Sequence, residues 1–334
     1  MSQKTMLRVE SLLRRLSDGK FHSGESIAEE LAISRTAVWK LIQKIQSWQV
    51  EVFSVRGRGY QIPGGLALID QLALEKKLQL HNQLFKQVIV LTSVDSTADY
   101  LAKDWKKQPD IGRVCISEHQ TAGRGRKDRP WISPFAANLY FSIGVQLPLG
   151  LSALGGLSLA VGISLCRTLN KTTQNKIKIK WPNDLLVIDK VGNKKLAGIL
   201  VEASGDSNDS SFLNIGVGIN WDMQIKQADD IDQPWVNLKS LLGHRQLTRS
   251  EILGEILCDL DAALVEYIES GFSEFAKEWQ SLSAMYQQEV KLHLPQREIK
   301  GVEIGVEANG ALKLDTDNGV QVFHSGEVSL RKRY

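Results

Sequence analysis

The residues best suited to chemistry lie together in one run, Glu118-His119-Gln120-Thr121-Ala122-Gly123-Arg124-Gly125-Arg126-Lys127-Asp128-Arg129-Pro130-Trp131-Ile132-Ser133-Pro134. Its glycines let backbone approach a ligand closely, and its arginines can grip phosphate with two prongs. Glycine and charge also mark plain surface loops. Here, however, the two types alternate and an indole closes the run, which reads better as an anion site. Gly123-Arg124-Gly125 lacks the third glycine of a dinucleotide fingerprint, and the chain holds no Gly-x-x-x-x-Gly-Lys-Ser/Thr. A nucleotide bound here must be held by arginine side chains, not by a Walker-type loop. That points to adenylyl chemistry of the synthetase kind.

The elements that position this run are legible from periodicity. Val114-Cys115-Ile116-Ser117 and residues 138–145 read as buried strands, so the run is a loop between strands. Another strand, Val88-Ile89-Val90-Leu91, leads into Asp95-Ser96-Thr97, where Ser96 can cap a helix with Asp99 three residues on. Capping alone would explain that tripeptide. A buried helix is expected over 151–169, and a strand at 177–180 runs into Trp181-Pro182-Asn183-Asp184. Strands follow at 195–202 and 212–217, then a polar loop containing Trp235 and amphipathic helices near 250–269 and 272–286. From Glu289 the texture changes to short alternating strands. Asn309-Gly310 and Asn318-Gly319 are hairpin turns among them, so residues 285–334 predict a small β-barrel.

The N-terminal segment is different in kind. Met6, Val9, Leu12, Leu13 and Leu16 predict a helix over 5–17 that Gly19 stops, and a second helix follows over 24–31. Ser34 is a good N-cap for a third over 35–48, with Ala37, Leu41, Ile45 and Trp48 as its inner stripe. Two short strands at 52–55 and 60–62 flank Arg56-Gly57-Arg58-Gly59, a wing with a basic tip. A winged helix-turn-helix results. Ser34, Arg35, Thr36, Trp39 and Lys40 would face DNA bases and phosphates, and Arg56 and Arg58 the backbone. A three-helix interaction module without DNA is the alternative. Pro63-Gly64-Gly65 marks the boundary, dividing the chain into 1–64, 65–284 and 285–334.

Composition agrees. The 334 residues, 43% hydrophobic and 24% charged, suit a globular protein of two or three domains. Net charge is only +3, but residues 1–64 hold ten Lys+Arg against six Asp+Glu, and the remainder 31 against 32. The basic excess therefore sits where DNA would bind. Cys115, Cys166 and Cys258 lie in apolar runs without paired spacing and read as reduced thiols of a cytoplasmic protein. No apolar signal region opens the chain. The uncharged stretch from Trp131 to Cys166 has the length of a membrane span, but Pro134, Asn138, Gln146 and Pro148 interrupt it. A buried strand and helix fit better, with no membrane partner.

Four segments together resemble biotin protein ligases: Asp95-Ser96-Thr97, Gln120 to Arg126 with Arg129-x-Trp131-x-Ser133-Pro134, Lys180-Trp181-Pro182-Asn183-Asp184, and Lys195-Leu196-Ala197-Gly198-Ile199-Leu200-Val201-Glu202. With both terminal modules, the resemblance covers nearly the whole chain and points to the bifunctional biotin ligase and biotin operon repressors. It implies an α+β multidomain fold with a class II synthetase-like central domain of mixed sheet and an SH3-like C-terminal barrel. It further implies that biotin and Mg·ATP form biotinyl-5′-AMP, from which biotin passes to a lysine of the biotin carboxyl carrier protein of acetyl-CoA carboxylase. The same adenylate would be corepressor, promoting a homodimer on operator DNA.

Residue types fit those roles. Joining a carboxylate to a phosphate requires cations, which Lys195, Arg124 and Arg126 can supply. Ser96, Thr97, Ala98, Gln120 and backbone near Arg124 and Gly125 would complete a biotin pocket with Arg126 and Lys195. Arg126, Trp131, Lys180, Asn183, Asn220 and Trp235 would meet the nucleotide, Trp235 by stacking once its loop orders. Asp184, with Asn183, would hold Mg²⁺ through oxygen. Two departures stand out: Ala98 where the family commonly has Asn, and Asp128 where it has Gly. Asp128 is expected to weaken anion binding, or to stiffen the loop by pairing with Arg129. A non-catalytic sensor and another adenylate-forming transferase, such as a lipoate ligase, remain alternatives at this point.

Overall fold

The computed structural model describes residues 3–79, 83–105, 111–174, 177–189, 192–294, 297–324 and 329–332. Helices α1 (Gln3–Leu16), α2 (Gly24–Glu30) and α3 (Arg35–Gln46) pack around Val9, Leu12, Leu13, Leu16, Ile27, Val38, Leu41, Ile42 and Ile45, all buried. Ser23 and Ser34 cap α2 and α3, accepting from the N–H groups of Ser26 and Ala37. Strands β1 (Phe53–Val55) and β2 (Gly59–Gln61) pair antiparallel around a tip in which Gly57 and Gly59 take positive φ. This is the expected winged helix-turn-helix, with α3 presenting its polar face to solvent.

The central unit holds helices α4 (Gln71–Gln79), α5 (Thr97–Trp105), α6 (Leu157–Thr173), α7 (Arg249–Ser270) and α8 (Ser273–Leu282). Its strands are β3 (Phe85–Leu91), β4 (Gly112–Ser117), β5 (Asn138–Leu147), β6 (Ile177–Lys180), β7 (Asp184–Asp189), β8 (Gly192–Gly205) and β9 (Ser211–Asn220). They form one sheet in the order β3-β4-β5-β9-β8-β7-β6, parallel only between β3 and β4. Period-two alternation assigns its faces. Leu139, Phe141, Ile143 and Val145 of β5 join Leu213, Ile215, Val217 and Ile219 of β9 in the main core, with buried residues of α6 and α7. The opposite face pairs Tyr140 with Gly218, Ser142 with Gly216 and Gly144 with Asn214. Helix α5 packs over Gly144, and the lack of a side chain at Gly218 makes room for Trp131.

Expected boundaries shift where glycine or edge pairing intervenes. The apolar stretch from 151 makes a single 3-10 turn (Leu151–Ala153) before α6 begins at Leu157. Gly156 holds φ +77, left-handed backbone outside the helical region, so α6 begins only after it. Helix α8 stops at Leu282 because the chain turns to pair with edge strand β6, Ala284 N–H donating to the Ile179 carbonyl at 2.8 Å. Among the described residues no helix is long and apolar enough to cross a membrane. The three thiols are free, and burial pushes that of Cys166 up to about 12.

The C-terminal unit is a five-stranded antiparallel sheet of β10 (Glu289–His293), β11 (Glu298–Val306), β12 (Leu312–Thr316), β13 (Gly319–Phe323) and β14 (Ser329–Lys332). Its order is β13-β12-β11-β10-β14, and the two outer strands do not pair among the described residues. Both Asn-Gly pairs sit at the expected hairpin turns. This sheet reaches back to the central unit: the Trp181 indole N–H donates to the Gly310 carbonyl at 3.0 Å. It thereby fixes the residue leading into Asn183 and Asp184.

Candidate active site

Polar groups gather on the open face of the large sheet. At the start of α5, the Ser96 hydroxyl accepts from Asp99 N–H at 3.3 Å, so capping does account for that side chain. Thr97 is different. Its N–H and hydroxyl both donate to Gln120 Oε1, at 2.9 and 3.2 Å, and its hydroxyl lies 2.8 Å from that of Ser142. Gln120 Nε2 donates to Ser133 Oγ at 3.1 Å, which donates to the Trp131 carbonyl at 2.9 Å. A line of neutral donors and acceptors thus crosses from β5 to the Gly-Arg loop. Ala98 is buried and supplies its carbonyl to Asn214 Nδ2 at 2.8 Å.

The loop folds back on itself: Gly125 N–H donates to the Arg129 carbonyl at 2.7 Å, and Trp131 N–H to that of Gly123 at 2.8 Å. At its tip Lys127 and Asp128 take φ of +56 and +55. Asp128, standing where a glycine is expected, therefore occupies left-handed backbone, which Asp tolerates better than most residues. The expected pairing with Arg129 is not made. Among the described residues Asp128 forms no ion pair, because this turn leaves its side chain exposed.

Beneath the loop, Trp131 lies against Gly198 and Gly218, which face each other across β8 and β9. A Cβ on Gly218 would come 2.3 Å from the indole, and one on Gly198 3.0 Å. Lys195 Nζ sits 5.3 Å from the indole's ring centroid and 2.9 Å from Asp184 Oδ1, with both side chains largely buried. Arg126 donates to Asn183 Oδ1 at 3.1 Å, and Asn183 Nδ2 to the Ile199 carbonyl at 2.9 Å. Burial pushes the Arg126 pKa below its ordinary value while the Asp184 carboxylate opposes the shift. Lys180 pairs in register with Asp184. Asn220 Nδ2 donates to the Lys195 carbonyl at 3.2 Å. Trp235 is held already: Lys195 N–H donates to the Pro234 carbonyl and Val236 N–H to that of Lys195. Arg124 stands apart, donating to Asp99 and Glu202. Two buried donors, Trp131 Nε1 and Arg124 Nε, have no partner among the described residues.

Of the sequence-predicted residues, the fold brings Thr97, Gln120, Arg126, Trp131, Asn183, Asp184, Lys195 and Asn220 to one place. Sequence reasoning overlooked Ser142, Asp99 and Glu202. Ser142 carries no signal beyond its even position in a strand of apolar odd positions, whereas Asp99 reads only as a helix-capping residue and Glu202 only as the last residue of a motif segment. Metal ligation rests on little: no cluster of three His, Cys, Asp or Glu side chains forms among the described residues.

On the winged module Arg35, Thr36, Lys40, Arg56 and Arg58 are exposed, as is Trp39. The Ser34 hydroxyl is spent on the cap of α3, and the Arg58 guanidinium covers the Phe21 ring at 4.0 Å. Trp48, just past α3, reaches the ligand loop. It stacks on Phe135 at 5.3 Å with planes 6° apart and leans on His119 at 5.7 Å. Burial, aided by Lys44, lowers the His119 pKa to about 4, and Ser93 Oγ lies 2.9 Å from its Nδ1.

A winged helix-turn-helix joined to a mixed sheet that collects half-buried cations beside neutral acceptors is the build of a two-function ligase. Residues 90–220 match the Biotin/lipoate A/B protein ligase family, residues 8–61 an HTH domain, and residues 288–331 the Biotin protein ligase C terminal domain. The chain is 39% identical to the bifunctional ligase/repressor BirA of Salmonella typhimurium (strain LT2), over 96% of this chain and 97% of that one. It is 38% identical to BirA of Escherichia coli (strain K12), over 96% of each. A solved biotin protein ligase from Aquifex aeolicus, in complex with biotin and ATP, superposes with a TM-score of 0.62 at 32% identity. That match covers 75% of this chain and 100% of the other. The chain belongs to the bifunctional ligase/repressor family of biotin protein ligases.

Proposed function

We propose that the protein condenses biotin with ATP to biotinyl-5′-AMP and transfers biotin to a lysine of the carboxyl carrier protein of acetyl-CoA carboxylase. The same adenylate acts as corepressor at operators of biotin synthesis genes in the cytoplasm. Residues 65–284 do the chemistry, 285–334 brace them, and 1–64 bind DNA. One observation carries this reading: half-buried Lys195, over the Trp131 ring, and Arg126, on Asn183, share the open face of the sheet with the Thr97–Gln120–Ser133 line.

In the first step a biotin carboxylate oxygen bonds to the α-phosphorus of ATP as the bond to pyrophosphate breaks. Two anions meet, and preorganised cations in a partly dry site stabilise the charge that develops. Lys195, once drawn from Asp184, and Arg126 supply it. Thr97, Gln120 and Ser133 match the neutral ureido ring, which both donates and accepts hydrogen bonds, and buried Ala98 closes the pocket behind them. Lys180, Asn183, Asn220 and Trp235 border the nucleotide's side of the cleft. A lone carboxylate beside an amide suits Mg²⁺, which takes its other ligands from phosphates and water; Asp184 and Asn183 would hold it, and the ion would screen phosphate charge. In the second step the carrier's lysine amine attacks the acyl carbonyl and AMP departs.

One short recognition helix is too little for an operator, so two chains are needed on a palindrome. Arg35, Thr36, Trp39 and Lys40 enter the groove, and Arg56 and Arg58 meet the backbone. An adenylate that promotes the dimer must also bind the dimer more tightly. The test is full-length protein with ATP, Mg²⁺ and labelled biotin or lipoate, scored for an acid-labile adenylate and followed by sedimentation. Biotin-dependent adenylate and adenylate-dependent dimers are expected. Adenylate from lipoate alone, or none, overturns the ligase reading; an unmoved monomer–dimer balance overturns the corepressor route.

A further inference from the structure

The alternating Gly-Arg motif groups Arg124 with the phosphate-gripping cations, but its surroundings are those of a fastening. Nη2 donates to Asp99 Oδ1 at 2.6 Å and Nη1 to Glu202 Oε1 at 3.3 Å. These carboxylates come from different elements. Asp99 lies in the first turn of α5, beside Ser96 and Thr97, and Glu202 lies on β8 beyond Lys195. One guanidinium therefore ties the Gly-Arg loop to the two elements that bear the rest of the site.

Charge argues the same way. Two carboxylates face one guanidinium, so an approaching phosphate would meet net negative charge and must displace a partner first. Burial works against the Arg124 charge, yet Glu202 and Asp99 hold its pKa above the ordinary value. Arg126 is placed otherwise, since its hydrogen-bond partner is the neutral Asn183 amide. Position matters too. The Arg124 backbone bridges to Pro130 at the loop's base, so fixing this one side chain fixes the turn bearing Arg126 and leading into Trp131.

We propose that Arg124 is a positioning residue: with Asp99 and Glu202 it forms a clasp that holds the 121–134 loop closed over the pocket, while Arg126 and Lys195 meet the phosphates. The clasp rests on the biotin-adenylating reading for its kinetic consequence but not for its mechanics. Two readouts on the full-length chain separate the two. The first, without any substrate, is the rate of tryptic cleavage after Arg126 or Lys127. The second is KM for biotin against kcat for adenylate formation.

Arg124→Gln, which loses both half-exposed ion pairs, should speed cleavage and raise KM roughly three- to tenfold, and Asp99→Asn, which loses one, roughly two- to fivefold, each with kcat within about twofold. The double variant should match Arg124→Gln alone, because a clasp once open cannot open again. Glu202→Gln, which removes the longer contact, should move both readouts the same way by less, and Arg126→Gln should lower kcat instead. Melting by circular dichroism establishes which variants fold. Additive effects of Asp99→Asn and Arg124→Gln overturn the clasp, and so does a fall in kcat for Arg124→Gln with Asp99→Asn silent. A wild-type protein that makes no adenylate sinks the ligase reading, and cleavage rates alone then decide the clasp.

Discussion

Replacing Glu303 with glutamine should stabilise the protein in mild alkali and change little in acid. Glu303 lies at the bulge of β11, fully buried where the C-terminal sheet meets α8. Its Oε1 accepts from the Trp279 indole at 3.2 Å and from the Ser283 hydroxyl at 2.5 Å, while Oε2 has no partner among the described residues. Burial pushes the carboxyl from 4.5 up to about 7, and the two donors pull it only partly back. The folded state therefore prefers the protonated form. The stability this group contributes is complete below the unfolded value near 4.5 and is lost as pH rises through about 7. At ~1.36 kcal/mol per pH unit the full loss is about 3 kcal/mol, of which about 2 kcal/mol falls between pH ~5.5 and ~8.5. Glutamine keeps an acceptor for Trp279 and Ser283 and carries no charge. Urea unfolding of both proteins across that range, followed by tryptophan fluorescence, should show the gap widening by about that amount. Curves that stay parallel would refute the argument. Adenylation should fall on the same limb, because this sheet also holds Trp181 through Gly310.

Lys195→Ala should lose on the order of 10²-fold or more in adenylate formation, and Lys195→Arg should rescue poorly because a planar fork cannot replace a compact ammonium; a near-normal rate in folded Lys195→Ala would remove Lys195 from the mechanism. Gly218→Ala places a methyl 2.3 Å from the Trp131 indole, so the ring must move. The expected cost is about 1–3 kcal/mol, with a shifted emission spectrum and weaker biotin binding, whereas unchanged emission would mean the indole does not rest there. Asp128→Gly should leave adenylation within about twofold, since the backbone already holds φ +55, which glycine adopts freely; a tenfold change would show that the carboxylate acts on ligand. Trp48→Ala should destabilise the winged module by about 3–5 kcal/mol, read from its thermal unfolding.

What the sequence made legible was whatever local patterning decides. The three helices of the winged module follow from the spacing of Leu12, Leu16, Leu41 and Ile45, and the two Asn-Gly turns are where their backbone preferences put them. The open face of the sheet was also written there, in Asn214-Ile215-Gly216-Val217-Gly218-Ile219-Asn220, where small or polar residues alternate with apolar ones. Helix α4 escaped notice because only Leu74 and Leu78 are buried in it, too few for a period. The partners of a side chain are a different kind of information. Nothing near Arg124 in the chain says that Asp99 and Glu202 will claim it, because β8 and α5 meet the loop only after the sheet has formed. Glu303 was unreadable for the same reason: its burial depends on α8 docking over β11.

The central unit and the winged module meet in two short segments, each of which carries side chains toward both. In one, Gln120 turns toward Thr97 and the pocket while its neighbour His119 turns toward Trp48. In the other, Ser133 holds Gln120 while Phe135, two residues on, stacks against that same indole. A ligand that shifts Gln120 or Ser133 by even a few tenths of an ångström acts on backbone shared with His119 and Phe135. Packed rings accommodate such shifts by moving together, because interiors are close-packed and leave no slack to absorb them. Trp48 lies two residues past the end of α3, whose other end carries Arg35 and Thr36, so its indole joins these segments to the recognition helix. The buried Glu118–Arg249 pair, 2.7 Å apart, and Ile69 N–H on the other Glu118 oxygen at 2.6 Å pin the strand end just before His119. The winged module thus packs against a strand end that the central unit holds fixed.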